Sequence, residues 1–155
     1  MPDWFSHTLI GWITGKTIKI DIALVVVGAL LPDLAKINLI FFWLEMKHTI
    51  FFNPLHTPIG AVLIAGIITL LFKDVKKAFI PLGIGIFTHF LLDFLLINAS
   101  GGMNLLFPFS WDEWQLQIIR SDDYRITILL ITTALIVYFL YFYYEKRKTE
   151  NKQQA

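Results

Sequence analysis

His89 and Asp93 stand four places apart in THFLLDFLL, residues 88–96, a stretch with no other ionisable side chain. In a helix that spacing puts both on one face. An imidazole and a carboxylate there can share a hydrogen bond, pass a proton, or hold a divalent cation. The surroundings help to choose. Placing an aspartate centrally in lipid costs about 2.5–3.5 kcal/mol on insertion scales, whereas a hydrogen bond between membrane helices contributes only about 0.6 kcal/mol. Holding helices together is therefore a weak reason for the pair. A cation would neutralise the carboxylate and use the imidazole lone pair, so metal ligation is the expected chemistry.

Three further residues are candidates. Asp33 follows Pro32 in LLPDL, where a proline is expected to end one helix and open another. It reads equally well as a ligand or as a carboxylate interacting with a helix dipole. His56 precedes TPIGAV, in which Thr57 is a predicted N-cap and Pro58 the first helical residue. His7 lies on a short apolar stretch. Singly, His56 is an unremarkable interfacial histidine and His7 a packing one. His48, in EMKHTIFF, reads as a loop histidine outside the set. Trp111 and Trp114 read as interfacial anchors.

The elements that must position these groups are membrane helices. The chain of 155 residues is 56% hydrophobic and only 16% charged, against about 25% charged in a soluble domain. Its mean hydropathy is +0.64. The expected fold is all-α, an integral membrane bundle of about four or five spanning or partly inserted helices. Apolar stretches fall at 22–31, 37–44, 59–72, 78–97 and 126–144. The last two have the roughly 20 residues needed to cross a core of about 30 Å; 59–72 needs its flanks. Residues 1–144 are expected to form one membrane domain, and 145–155 a basic, polar cytoplasmic tail. Residues 98–125 read as a long polar loop with an aromatic middle, LLFPFSWDEW. The start, MPDWFSHTLIG, lacks the basic region and cleavage site of a signal peptide and is expected to remain in the mature protein. With no cysteine, disulfides, thiolate metal sites and cysteine nucleophiles are excluded. A net charge of +1 gives no case for a nucleic-acid partner.

Basic residues set the orientation. KDVKK (73–77) and EKRK (145–148) flank two spans and are expected in the cytoplasm, with 98–125 outside. That loop carries Asp112, Glu113, Asp122 and Asp123 against Arg120 and Arg125. Lys16 and Lys19 are then inside and the N-terminus outside. This multi-pass arrangement brings His7, Asp33, His56, His89 and Asp93 into the same outer half of the membrane, although lysines and arginines alone defined it.

The ordered set of His7, LPD, LHTP, HFLLD and LLFPFSW resembles the membrane-bound metal-dependent hydrolase family, the YdjM-like proteins, over about residues 4 to 120. The resemblance implies a small helical membrane protein with His7, Asp33, His56, His89 and Asp93 as metal ligands. It departs in two places. Many members have a second acid where this chain has Ala35, and FFNPLHT lacks the arginine that many carry upstream.

The expected function is a divalent-metal-dependent membrane hydrolase with its site near the outer interface. A histidine and carboxylate set without sulfur suits Zn²⁺, Mn²⁺ or Fe²⁺ better than Mg²⁺. Asp33 or Asp93 is the candidate general base. The location points to membrane lipid as partner and a lipid or lipid-linked ester or phosphoester as substrate. Two other readings use the same residues: a non-enzymatic path for ions or protons, and a structural or partner-binding protein.

Overall fold

The structure, a computed structural model, describes residues 4–34, 54–97, 102–120 and 124–153. The 37–44 stretch, Ala35, His48, Asp122 and Asp123 lie outside the described residues. Among the described residues five helices carry the fold: α1 (Trp4–Ile18), α2 (Ile22–Leu34), α3 (Pro58–Thr69), α4 (Val75–Leu95) and α5 (Tyr124–Gln153). A two-residue parallel pairing joins β1 (Leu96–Ile97) to β2 (Ile119–Arg120).

Local chemistry sets the helix ends. α1 closes on Lys19, whose φ of 58° is left-handed, and Asp21 opens α2 by accepting from the Leu24 N–H at 3.1 Å. Thr57 caps α3 as the sequence predicts. Its hydroxyl accepts from the Gly60 N–H at 3.0 Å and donates to the Pro54 carbonyl at 2.6 Å, and Pro58 takes the first helical position. Replacing buried Thr57 with alanine is expected to cost about 0.5–2 kcal/mol, read as a lower unfolding midpoint in detergent. Asp74 opens α4 by accepting from the Lys77 N–H at 3.2 Å. The Lys77 ammonium at 3.0 Å holds this exposed carboxyl below its ordinary pKa.

α4 and the Tyr124–Lys148 part of α5 are long and apolar enough to cross a membrane. At 1.5 Å per residue they reach about 31 and 37 Å, against a hydrocarbon core of about 30 Å. α2 and α3 are apolar but shorter. The apolar window of α5 is almost wholly unburied, and Leu129, Leu135, Phe139 and Leu140 stand exposed along it. So much unshielded apolar surface suits lipid rather than water.

Close backbone approach organises the rest. A Cβ on Gly28 would fall on the Leu82 carbonyl, and one on Gly85 on the Val25 carbonyl. α2 and α4 thus run parallel in near-contact, with Gly28 beside Leu82 and Ala29 beside His89. α1 lies antiparallel to α2, with Gly11 against Ala29 and Gly15 against Ile22. α5 lies parallel to α1: Ser6 meets the Thr127 hydroxyl at 3.3 Å, and the Lys16 ammonium sits 3.6 Å over the Tyr141 ring. Leu31, Ala61, Ala65, Leu82, Ile86, Phe90 and Met103 form the apolar core.

Two expectations need correction. Pro32 does not end its helix; α2 continues through it to Leu34. A proline this near a helix end forfeits only one late hydrogen bond, and the extra residues carry Asp33 inward. The segment after α4 is also more ordered than a polar loop. Met103 and Trp114 exchange backbone hydrogen bonds of 2.9 Å each way, while Leu116 and Ile118 donate to the terminal carbonyls Phe94 and Leu95 of α4. Those carbonyls lack partners inside their own helix. Farther on, α5 runs without a break from its apolar part to Gln153, through a stretch rich in helix-forming Glu, Lys and Arg.

Candidate metal centre

The five residues picked out along the chain come together. His7 is in the first turns of α1, Asp33 in the last turn of α2, His56 on the turn before α3, and His89 and Asp93 near the end of α4. Because α2 and α4 run parallel and α1 and α3 begin where those two end, all five reach one level of the bundle. His7 and His89 are fully buried, Asp93 is 1% exposed and Asp33 4%. The His56 side chain, at 10%, is the most open of the five.

Their polar atoms face a common centre. His7 Nε2 lies 3.4 Å from Asp93 Oδ1 and 3.8 Å from Asp33 Oδ2. His56 Nε2 lies 3.4 Å from Asp33 Oδ1 and 3.5 Å from Asp93 Oδ2, and His89 Nε2 lies 3.3 Å from Asp93 Oδ2. The Nε2 atoms of His56 and His89 are 3.2 Å apart. The His7 and His89 rings stack, with centroids 4.0 Å apart. His89 Nδ1 lies 2.8 Å from the Ala29 carbonyl oxygen. A carbonyl only accepts, so Nδ1 carries the proton and Nε2 of the neutral ring turns its lone pair toward the cluster. A carbonyl behind a histidine in this way is the usual support of a metal-ligating ring.

Hydrogen bonding within the protein does not account for the arrangement. His56 Nε2 carries at most one proton, yet three acceptors stand within 3.5 Å of it. Both ring nitrogens of His7 and Asp93 Oδ1 are buried and make no hydrogen bond. By contrast, the buried hydroxyls of Thr69 and Thr88 each donate to a carbonyl three residues back at 2.7 Å. Asp33 stands at a helix C-terminus, where the peptide dipoles disfavour an anion. Each of these features fits a cation. Donors about 2.0–2.2 Å from a shared tetrahedral Zn²⁺ lie about 3.3–3.6 Å apart, close to the observed nitrogen–oxygen separations. Two triads, His7–Asp33–His89 and His56–His89–Asp93, have their ligand atoms within 4.8 Å of one another.

Some contributors escape sequence reasoning. The Ala29 carbonyl is backbone and carries no residue signature. Phe90 packs edge-on against His56 at 5.6 Å and His89 at 5.2 Å; within an apolar run it looks like any core aromatic. Gly28 and Gly85 decide how near α2 comes to α4, and their spacing alone does not say which helix each one meets.

The family model described as YdjM inner membrane protein matches residues 3–151. No curated protein and no solved structure matches the chain.

Proposed function

The chain belongs to the YdjM inner membrane protein family, and from that premise we propose that it is a multi-pass, divalent-metal-dependent membrane hydrolase. The observation that carries this reading is the focusing of three imidazole nitrogens and two carboxylates at ligand spacing inside an apolar bundle. His7, Asp33, His56, His89 and Asp93 would hold the ion, and Zn²⁺, Mn²⁺ or Fe²⁺ suits this sulfur-free set better than Mg²⁺. When bound, the cation would supply Lewis-acid polarisation and make water more acidic.

The chain's own groups divide the remaining work. Ala29 fixes the His89 ring. Asp93 Oδ1, or the Asp33 carboxylate, accepts the proton of the attacking water and gives it to the departing alcohol oxygen. His56, the most accessible of the five, stands at the mouth of the site. The apolar walls keep bulk water out, which strengthens every charge interaction inside. A site within two turns of the end of α4 suits a lipid or lipid-linked ester or phosphoester.

The deciding experiment is elemental analysis of protein purified in detergent, paired with release from ester and phosphoester reporters. A near-stoichiometric transition metal and chelator-sensitive hydrolysis are expected. Protein that is folded and metal-free after purification without chelator overturns the reading. Metal without hydrolysis of any reporter favours a path for ions or protons instead.

The orientation belongs to the same proposal: 73–77 and the C-terminus in the cytoplasm, and the segment after α4 outside. The chain has no cysteine, so single introduced thiols report without background. Phe109→Cys is expected to react with an impermeant maleimide on intact spheroplasts, and Lys76→Cys only after lysis. Both sites lie at exposed positions. Equal labelling from outside overturns the orientation.

A further inference from the structure

A groove of about 380 Å³ adjoins the cluster, bounded by α3, α4 and the segment after α4. Its lining is wholly apolar: Pro58 and Val62 on one side, Gly83, Phe87 and Leu91 on the other, and Leu105 at the top. Phe90 also lines it, and the same ring packs edge-on against His56 and His89. The groove and the cluster therefore share a wall. Pro58, at the groove's upper end, is two residues from His56.

Its dimensions and opening select the occupant. From Gly83 to Phe94 it follows α4 for about 16 Å at 1.5 Å per residue, close to the depth of one leaflet's hydrocarbon, about 15 Å. Phe87 is 66% exposed and Leu91 45%, so the groove opens sideways on the face of a helix long enough to span a bilayer. A Cβ added at Gly83 meets nothing within 4 Å, which leaves the floor clear. The lining offers no polar side chain to a water-soluble ligand. The larger apolar pocket between α1, α2 and α5 touches none of the five cluster residues.

We propose that the groove between α3 and α4 binds one hydrocarbon chain of a membrane lipid and so presents that lipid's head group beside the His/Asp cluster. The proposal deepens the hydrolase reading. It rests on that reading for the fate of the head group, while binding of the chain needs neither metal nor turnover.

The test uses full-length protein in vesicles of phosphatidylethanolamine and phosphatidylglycerol, the latter with a diazirine in its acyl chain. After irradiation, adducts are expected to concentrate on Phe87 and Leu91. Leu63 and Ile67 of α3 serve as the comparison, being 64% and 68% exposed and outside the groove. Labelling spread evenly over these four positions overturns the proposal without any variant. Gly83→Trp, which fills the floor, is expected to lose the Phe87 and Leu91 adducts while keeping its metal content. Gly66→Trp is the control, because a Cβ there also meets nothing within 4 Å and the residue does not line the groove. Adducts that persist at wild-type level in folded Gly83→Trp likewise overturn it. His89→Ala is expected to keep the acyl adducts. Failure of the metal reading therefore shows as lost metal dependence with the adduct pattern intact, and failure of the groove as uniform adducts with metal retained.

Discussion

Asp93→Asn is expected to lower metal affinity by more than the roughly 10- to 100-fold that follows loss of an outer supporting group, while the bundle remains folded. The asparagine preserves size and can still hydrogen-bond, so the change isolates the charge. Asp93 is 1% exposed, and its two oxygens lie 3.3–3.5 Å from the Nε2 atoms of all three cluster histidines. If those contacts only held helices together, an amide would replace them at a cost near the roughly 0.6 kcal/mol typical of such bonds. If they surround a cation, loss of the negative charge removes a ligand. His89→Ala is expected to strip the ion as well, because His89 belongs to both ligand triads. Metal content is measured on monodisperse detergent-purified protein, with chelator titration giving the affinity. Wild-type metal content in folded Asp93→Asn removes the hydrolase reading and leaves helix packing as the role of the cluster.

Gly85→Leu is expected to destabilise the protein by about 3 kcal/mol or more, at the upper end of overpacking costs. A Cβ at this position would meet the Val25 carbonyl oxygen, the Ala29 nitrogen and the Gly28 carbonyl carbon, all backbone atoms of α2. Backbone cannot rotate away as a side chain can, so α2 and α4 must move apart. The same crossing sets the 2.8 Å contact between Ala29 and His89 Nδ1, so metal content is expected to fall with stability. Gly66→Leu is the contrast. Open space around that position predicts a change within about 0.5 kcal/mol. Unfolding in detergent, followed by tryptophan fluorescence, gives both values. A Gly85→Leu midpoint equal to that of wild type would show that the helices do not depend on this close approach.

Which residues could do chemistry was legible in the chain because polar groups are conspicuous in an apolar sequence. His89 and Asp93 stand out inside α4 for that reason, and their four-residue spacing already defines a shared face. Thr57 and Pro58 marked the start of α3 because capping is local, involving residues within three positions of one another. Basic residues at 16, 19, 73, 76 and 77 implied which helix ends belong at one level, and the parallel run of α2 and α4 agrees with that order. The sequence by itself therefore determined the long apolar helices, the cap of α3 and the five candidate groups. It misjudged Pro32, because a break near a helix end depends on how much helix follows and what that helix packs against. Tertiary structure alone decided that the two carboxylates face three imidazoles at 3.3–3.8 Å, that Ala29 orients His89, and that Phe90 separates the cluster from an apolar groove. These are contacts between residues far apart in the chain. They arise from where Gly28 and Gly85 allow two backbones to meet, and no local propensity or spacing carries that information.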